Sequence, residues 1–189
     1  LKVKKITITI NQNCINVSQF KIKRNKESFF NILFFGRIDE KKNFLKIPEI
    51  ANIFKINNVK DVKFIIVGPG LKKNIEELKV KVKKLKLDKL VEIRNSISST
   101  DQKNALFSEI DVFILPSEDE ADSVAIKEAL ASGKPVVISK ECKFISDNKS
   151  EEFIKIINDK SAQSYYFKLI KFYKKFEELK NLAFKIHSY

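Results

Sequence analysis

Carboxylates crowd one short run of this chain: Glu118, Asp119, Glu120 and Asp122 lie together, and Glu128 follows once the pattern has turned helical. Two cations suited to phosphate, Arg37 and Lys42, stand far upstream in Gly36-Arg-Ile-Asp-Glu-Lys-Lys42-Asn43. Carboxylates can work as a paired acid and nucleophile, as oxygen ligands to a divalent cation, or as acceptors for hydroxyl groups. The first use needs two carboxyls flanking one bond, whereas Glu128 falls inside a helical pattern and Glu120 before it. The second is disfavoured by a spacing that is not Asp-x-Asp. Arg37 brings a planar fork of donors and Lys42 a point charge, the two kinds of cation that a bound diphosphate needs. Gly36 is expected to let the backbone turn tightly behind a strand.

The elements that must position these groups follow from the apolar pattern. Asp111-Val-Phe-Ile-Leu115 is a short apolar run closed by Pro116, which suits a parallel strand covered on both faces. From Ser123, the residues Val124, Ile126, Ala129 and Leu130 recur at helical spacing, Asp122 or Ser123 can cap the first turn, and Gly133 stands where the helix should end. Pro135 to Ile138 reads as the next strand, so this stretch is a βαβ unit whose ligand site lies beyond the carboxyl ends of its strands. Upstream, strands are expected at 3–10, 31–35, 62–67 and 90–93, with helices at 44–56, 71–87 and from Ser99 to about Ser108. Downstream, a last strand over 152–157 precedes a helix over 159–189 whose aromatic residues suit core packing. Gly68-Pro-Gly70 lacks the third glycine of a dinucleotide fingerprint. About six alternations of strand and helix predict an α/β fold, a doubly wound parallel sheet of the Rossmann-like kind.

The order Pro116-Ser117-x-x-Glu120, then Glu128-Ala-Leu-Ala-Ser-Gly-x-Pro-Val-Val137, resembles the signature of the group 1 glycosyltransferases, the family-four retaining enzymes of two-lobed GT-B architecture. The Gly36-Arg37 to Lys42 loop is similar to the same family's phosphate loop, and Asn11 to Phe20 to its Asn-Gly-Val-Asp-x-x-x-Phe stretch. The resemblance implies a single lobe over 1–189, the C-terminal, donor-binding one, with the N-terminal acceptor lobe as its partner on a longer chain. It implies a nucleotide-diphosphate sugar as donor substrate, no cofactor and no metal. Glu120 would contact the transferred sugar, Glu128 the ribose, and Arg37 with Lys42 the diphosphate; Glu120, Arg37 and Lys42 are thus the expected catalytic groups. The donor-binding set is completed by Gly36, by Arg94 and Asn95 near the base, and by Asp122, Ser123 and Val124 at the helix start. Cys14 and Asn43 stand where glycine is usual, and Ala121-Asp122-Ser123 replaces Gly-Phe-Gly, which leaves the sugar's identity open.

At 189 residues the chain fits one domain with a real core. Lys and Arg number 37 against 24 Asp and Glu, a formal charge of +13. That balance suits solvated lysines over the whole surface, and also peripheral contact with an anionic membrane. The alternative from another class is a nonenzymatic basic module for nucleic acid or membrane, but aromatic residues here sit in apolar runs rather than among the cations, so no nucleic-acid partner is expected. Two distant cysteines and a single histidine suggest neither a disulfide framework nor a zinc site. A cytoplasmic location follows as the expectation, since no apolar run is long enough to span a bilayer and no signal-peptide pattern is seen at the start. Absence of methionine suggests a piece of something longer.

Overall fold

The computed structural model describes residues 15–20, 29–143 and 153–187, with side chains described as far as residue 178. The expected strand over 3–10 and the first four residues of the Asn11 to Phe20 stretch lie outside the described residues; Val17–Gln19 forms a 3-10 turn. Six strands, β1 (Phe30–Phe35), β2 (Val62–Val67), β3 (Val91–Arg94), β4 (Val112–Leu115), β5 (Val136–Ser139) and β6 (Ile154–Ile157), make one sheet in the order β3-β2-β1-β4-β5-β6. All pairings are parallel. The helices between them are α1 (Lys46–Ile56), α2 (Lys72–Lys84), α3 (Thr100–Ser108) and α4 (Val124–Ala131), and α5 (Ala162–His187) closes the chain. This is the doubly wound α/β architecture that the alternation of patterns predicts. Its order reverses between β1 and β4, which opens a crevice at their carboxyl ends.

Both faces of the sheet are covered, and this is why β4 is an unbroken apolar run rather than an alternating one. Every residue of β4 and β5 is buried. On one face α1 packs against α2 and α5, with Phe54 edge-on to both Phe64 and Tyr166. On the other, Phe107 of α3 meets Phe35 edge-on. The aromatic residues of α5 largely serve the core as expected: Tyr165 is buried and Tyr173 and Phe176 pack on Phe30, though Phe167 is exposed. Two helix ends follow local rules. A capping box joins Ser99 to Gln102 at the start of α3, and Gly133, at φ 71°, terminates α4.

Candidate active site

The loop after β1 is held from two sides. Its Ile38 N–H donates to the Pro69 carbonyl at 2.7 Å, and the buried Asn74 amide donates to the Ile38 carbonyl at 2.9 Å. On the other side the Lys41 carbonyl accepts from the Glu118 N–H at 2.7 Å and from the Ser117 hydroxyl at 3.0 Å. The close backbone approach to this loop is made by Gly68. A Cβ on Gly68, whose φ is +152°, would lie 1.8 Å from the Gly36 carbonyl oxygen, whereas a Cβ on Gly36 would meet nothing within 4 Å. Asn43 adopts φ 50°, the left-handed region, which explains physically why glycine suits this position. Asp39 begins the 3-10 turn Glu40–Lys42 by accepting the Lys42 N–H at 3.0 Å. That turn aims Lys42 across the crevice, while Arg37 remains exposed with Asp39 3.4 Å away.

The loop after β4 supplies the opposite wall. Ser139 donates to the Ser117 carbonyl, and the backbone of Glu120 is clamped by the turn that follows β5: its N–H donates to Glu141 at 3.2 Å and its carbonyl accepts from Lys143 at 2.9 Å. So fixed, the Glu120 carboxylate is in direct ion-pair contact with the Lys42 ammonium, each side chain being about 15% exposed. Burial pushes Lys42 below the ordinary lysine value; the charge of Arg37 acts the same way, while Cys142, Asp39 and Asp119 oppose it. Asp122, expected as a cap or as a carboxylate beside the sugar pocket, is not the N-cap residue of α4; it lies 2.5 Å from Lys127 and borders the same small space as Glu120. Ser123 does occupy the N-cap position, yet its side chain makes no capping hydrogen bond. The space bounded by Glu120, Ala121, Asp122, Ser123 and Lys143 is only about 10 Å³.

A third wall comes from α3. Glu128, buried on α4, receives the Lys103 ammonium at 2.7 Å, and that ammonium also lies 5.9 Å from the centre of the Phe35 ring. One turn away, a cavity of about 340 Å³ opens between the ends of β2 and β3 and the helix. Arg94, Asn95, Gln102 and Glu109 are its polar lining. Arg94 is held on both sides, its Nε donating to Glu92 at 2.7 Å and its Nη1 to Glu109, and these bonds raise its pKa further. A larger cavity of about 560 Å³ lies at the other end of the sheet, among Lys55, Lys60, Lys86 and Lys89, and shares no residue with the crevice. Among the described residues no three of His, Cys, Asp and Glu come together as an ion-binding group.

The crevice therefore brings Lys42 to Glu120 and places Glu128 next to the helix that lines the 340 Å³ cavity. Lys103, Lys127, Glu109 and Ser139 are site residues absent from the sequence expectations, and Ser117 and Gly68 stood there only as members of motifs, without a role. Lys103 and Glu128 meet from separate helices, a contact no local spacing announces. Gly68 did stand in a visible Gly-Pro-Gly, whose signal was the glycine itself.

A parallel doubly wound sheet with a cationic loop and an acidic loop facing each other across the switch point is a Rossmann-like α/β lobe. The particular family follows from the sequence profile: residues 17–185 match that of glycosyl transferases group 1, and the chain belongs to this family. Its fold is that of the C-terminal domains of such GT-B enzymes. The C-terminal domain of the group 1 protein LpcC from Francisella tularensis superposes with a TM-score of 0.70 at 19% identity, over 85% of this chain and 88% of that one. Anabaena HepE, solved with UDP and glucose, gives 0.66 at 19% identity over 76% of this chain and 38% of its own. TarM from S. aureus, solved with UDP, alpha-GlcNAc-glycerol and Fondaparinux, gives 0.62 at 19% identity over 80% and 30%. The chain thus spans well under half the length of the latter two. No curated protein sequence matches it. Among the described residues no helix is long and apolar enough to cross a membrane.

Proposed function

We propose that this chain is the donor-binding lobe of a retaining, family-four hexosyltransferase that moves a sugar from a nucleotide-diphosphate sugar to a glycan or lipid-linked acceptor, in glycoconjugate or surface polysaccharide synthesis in the cytoplasm. The observation that carries the reading is the Lys42–Glu120 contact: the loops after β1 and β4 put a cation and a carboxylate together at the topological switch point. In transfer from such a donor, negative charge builds on the departing diphosphate, so cations and helix N–H groups aimed there lower the barrier. Arg37, Lys42 and the start of α4 are assigned that task; the uncapped Ser123 supports it. Glu120 accepts from the sugar, Glu128 from the ribose, and Arg94 with Asn95 borders the base. No cofactor or metal is assigned. HepE, crystallised with UDP and glucose, supports a donor of this chemistry.

The acceptor would sit on the missing lobe, so the isolated chain should bind donors without transferring sugar. Calorimetry with a panel of nucleotide sugars tests both parts. Binding of at least one donor, abolished by excess nucleoside diphosphate, is expected. Failure of every nucleotide to bind would overturn the donor role, and robust transfer by this chain alone would overturn its assignment as half of an enzyme. Peripheral contact with anionic membrane is supported by the four lysines around the cavity at the far end of the sheet; pelleting with anionic vesicles, lost in Lys60→Glu with Lys89→Glu, tests it.

A further inference from the structure

We infer that the cavity at the carboxyl ends of β2 and β3 selects guanine, so that the donor is a guanosine diphosphate sugar. This rests on the donor-lobe reading above and extends it to the base. The cavity, about 340 Å³, has the size of a small-ligand pocket, with Val67, Ile97 and Leu106 as apolar walls. It adjoins the ribose position through α3, since Gln102 lines it and the next residue, Lys103, holds Glu128. Its polar groups then decide which base fits.

Glu109 contributes a carboxylate, which only accepts hydrogen bonds. Its Oε1 takes a bond from Arg94, while Oε2 has no hydrogen-bond partner among the described residues. Arg94 spends one N–H on Glu109 and others on Glu92, and of its five donors at least one remains for a ligand. Arg94 and Glu109 thus present a donor beside two acceptor oxygens. Guanine offers the complement on its pairing edge: the O6 acceptor, then N1–H and the N2 amino group as two adjacent donors that match a carboxylate as a guanidinium does. Uracil has a single N–H between two carbonyls, so a carboxylate facing it meets at least one oxygen in repulsion. Adenine and cytosine each set one amino group beside an unprotonated ring nitrogen, and only one carboxylate oxygen is satisfied. The Gln102 oxygen is committed to the Ser98 and Ser99 N–H groups, so it cannot replace Glu109 as acceptor for the base. HepE and TarM were solved with UDP, but at 19% identity they share the fold alone, and the base edge is read by these side chains.

Titration of the chain with GDP, UDP, CDP, ADP and inosine diphosphate distinguishes the cases. GDP should bind at least about tenfold tighter than any other, inosine diphosphate falling short because it lacks the N2 amino group. Glu109→Gln exchanges one acceptor for a donor at constant shape and should weaken GDP by about 10- to 100-fold while tightening UDP, because the amide relieves the repulsion on a uracil carbonyl. Because Glu109 also holds Arg94, a thermal melt of the variant accompanies the titration, and the GDP:UDP ratio is the readout that a general loss of fold would not move selectively. Equal binding of all five, preference for UDP or CDP, or a GDP preference that survives Glu109→Gln overturns guanine selection while leaving a nucleotide donor in place. Absence of binding by every diphosphate overturns the donor-lobe reading and this inference together.

Discussion

On the β4 side of the crevice the charged groups already face one another, whereas on the β3 side a cavity stands open. Lys42 contacts Glu120, Lys127 lies against Asp122 and Lys103 against Glu128, leaving about 10 Å³ beside the start of α4. Across α3 the space is about 340 Å³. Partly buried charges pair on both sides, because a lone desolvated ion is worse than a mutual pair; the pairs on the β4 side close the space, whereas those of Arg94 with Glu92 and Glu109 leave it open. Under the donor reading, a diphosphate draws Lys42 away from Glu120 and so frees a carboxylate oxygen for a sugar hydroxyl. The base side needs no such exchange and is preformed. Phosphate and sugar contacts would therefore be coupled, and base contacts independent of them.

The largest effect should come from the joint that holds the two sides in register. Gly68→Ala puts a methyl 1.8 Å from the Gly36 carbonyl at a φ of +152°, so it should cost about 3 kcal/mol or more of stability. Gly36→Ala meets open space and should melt close to the parent. Denaturant titration of both checks this, and equal melting of the pair would show that the β1 and β2 loops are not locked together.

Next comes Lys42. Lys42→Ala should weaken nucleoside diphosphate binding by about 1.5–3 kcal/mol, the size of a charge-assisted hydrogen bond. The pH dependence sharpens this. Because burial lowers the Lys42 pKa, the charged form that grips phosphate is lost as pH rises through a value below the ordinary 10.5, and affinity should fall there. Folding responds in the opposite sense: the unfolded chain binds the extra proton between the lowered value and 10.5, so Lys42's contribution to stability rises with pH in that window. Calorimetry and melts over this range should diverge in the parent and lose that divergence in Lys42→Ala.

The two glutamates separate ribose from sugar. Glu128→Gln should weaken nucleoside diphosphate and nucleotide sugar alike, by about 1.5 kcal/mol, as both carry the ribose. Glu120→Gln should leave the diphosphate nearly intact, weaken only the sugar-bearing donor, and lower turnover in the complete enzyme. Equal losses of diphosphate affinity in the two variants would remove Glu120 from the sugar.

How much of this was legible beforehand depended on whether the cause was local. The strands at 62–67 and 111–115 announced themselves by mostly apolar runs, since a sheet covered on both faces demands them. The start of α3 at Ser99 and the end of α4 at Gly133 were equally visible because caps are set within a few residues. The loops that carry Arg37, Lys42, Glu120 and Glu128 were found from spacing and resemblance. What spacing could not reveal was partnership: Lys103 with Glu128, Lys127 with Asp122, and Gly68 against Gly36 are matters of tertiary approach. Asp122 illustrates the limit, because its neighbours in sequence suggested a cap while Ser123 takes that position and Asp122 pairs with Lys127.

The smallest expected effect concerns Asn43, the residue that ends the 3-10 turn behind Lys42. At φ 50° and ψ 45° it sits in the left-handed well, which a β-carbon makes costly and which Asn tolerates better than most residues. Its carbonyl accepts from the Lys46 N–H at 2.9 Å, so this conformation also leads into α1. Asn43→Ala should therefore cost about 1 kcal/mol of stability, whereas Asn43→Gly should stay within about 0.5 kcal/mol of the parent. The contrast between the two sides predicts where a further loss appears: Asn43→Ala should weaken the diphosphate somewhat, through a less well-held Lys42, and leave the ranking among bases unchanged. Melts of both variants followed by titration with several nucleoside diphosphates would measure it. A changed base preference in Asn43→Ala would show that the phosphate and base halves of the crevice are mechanically linked.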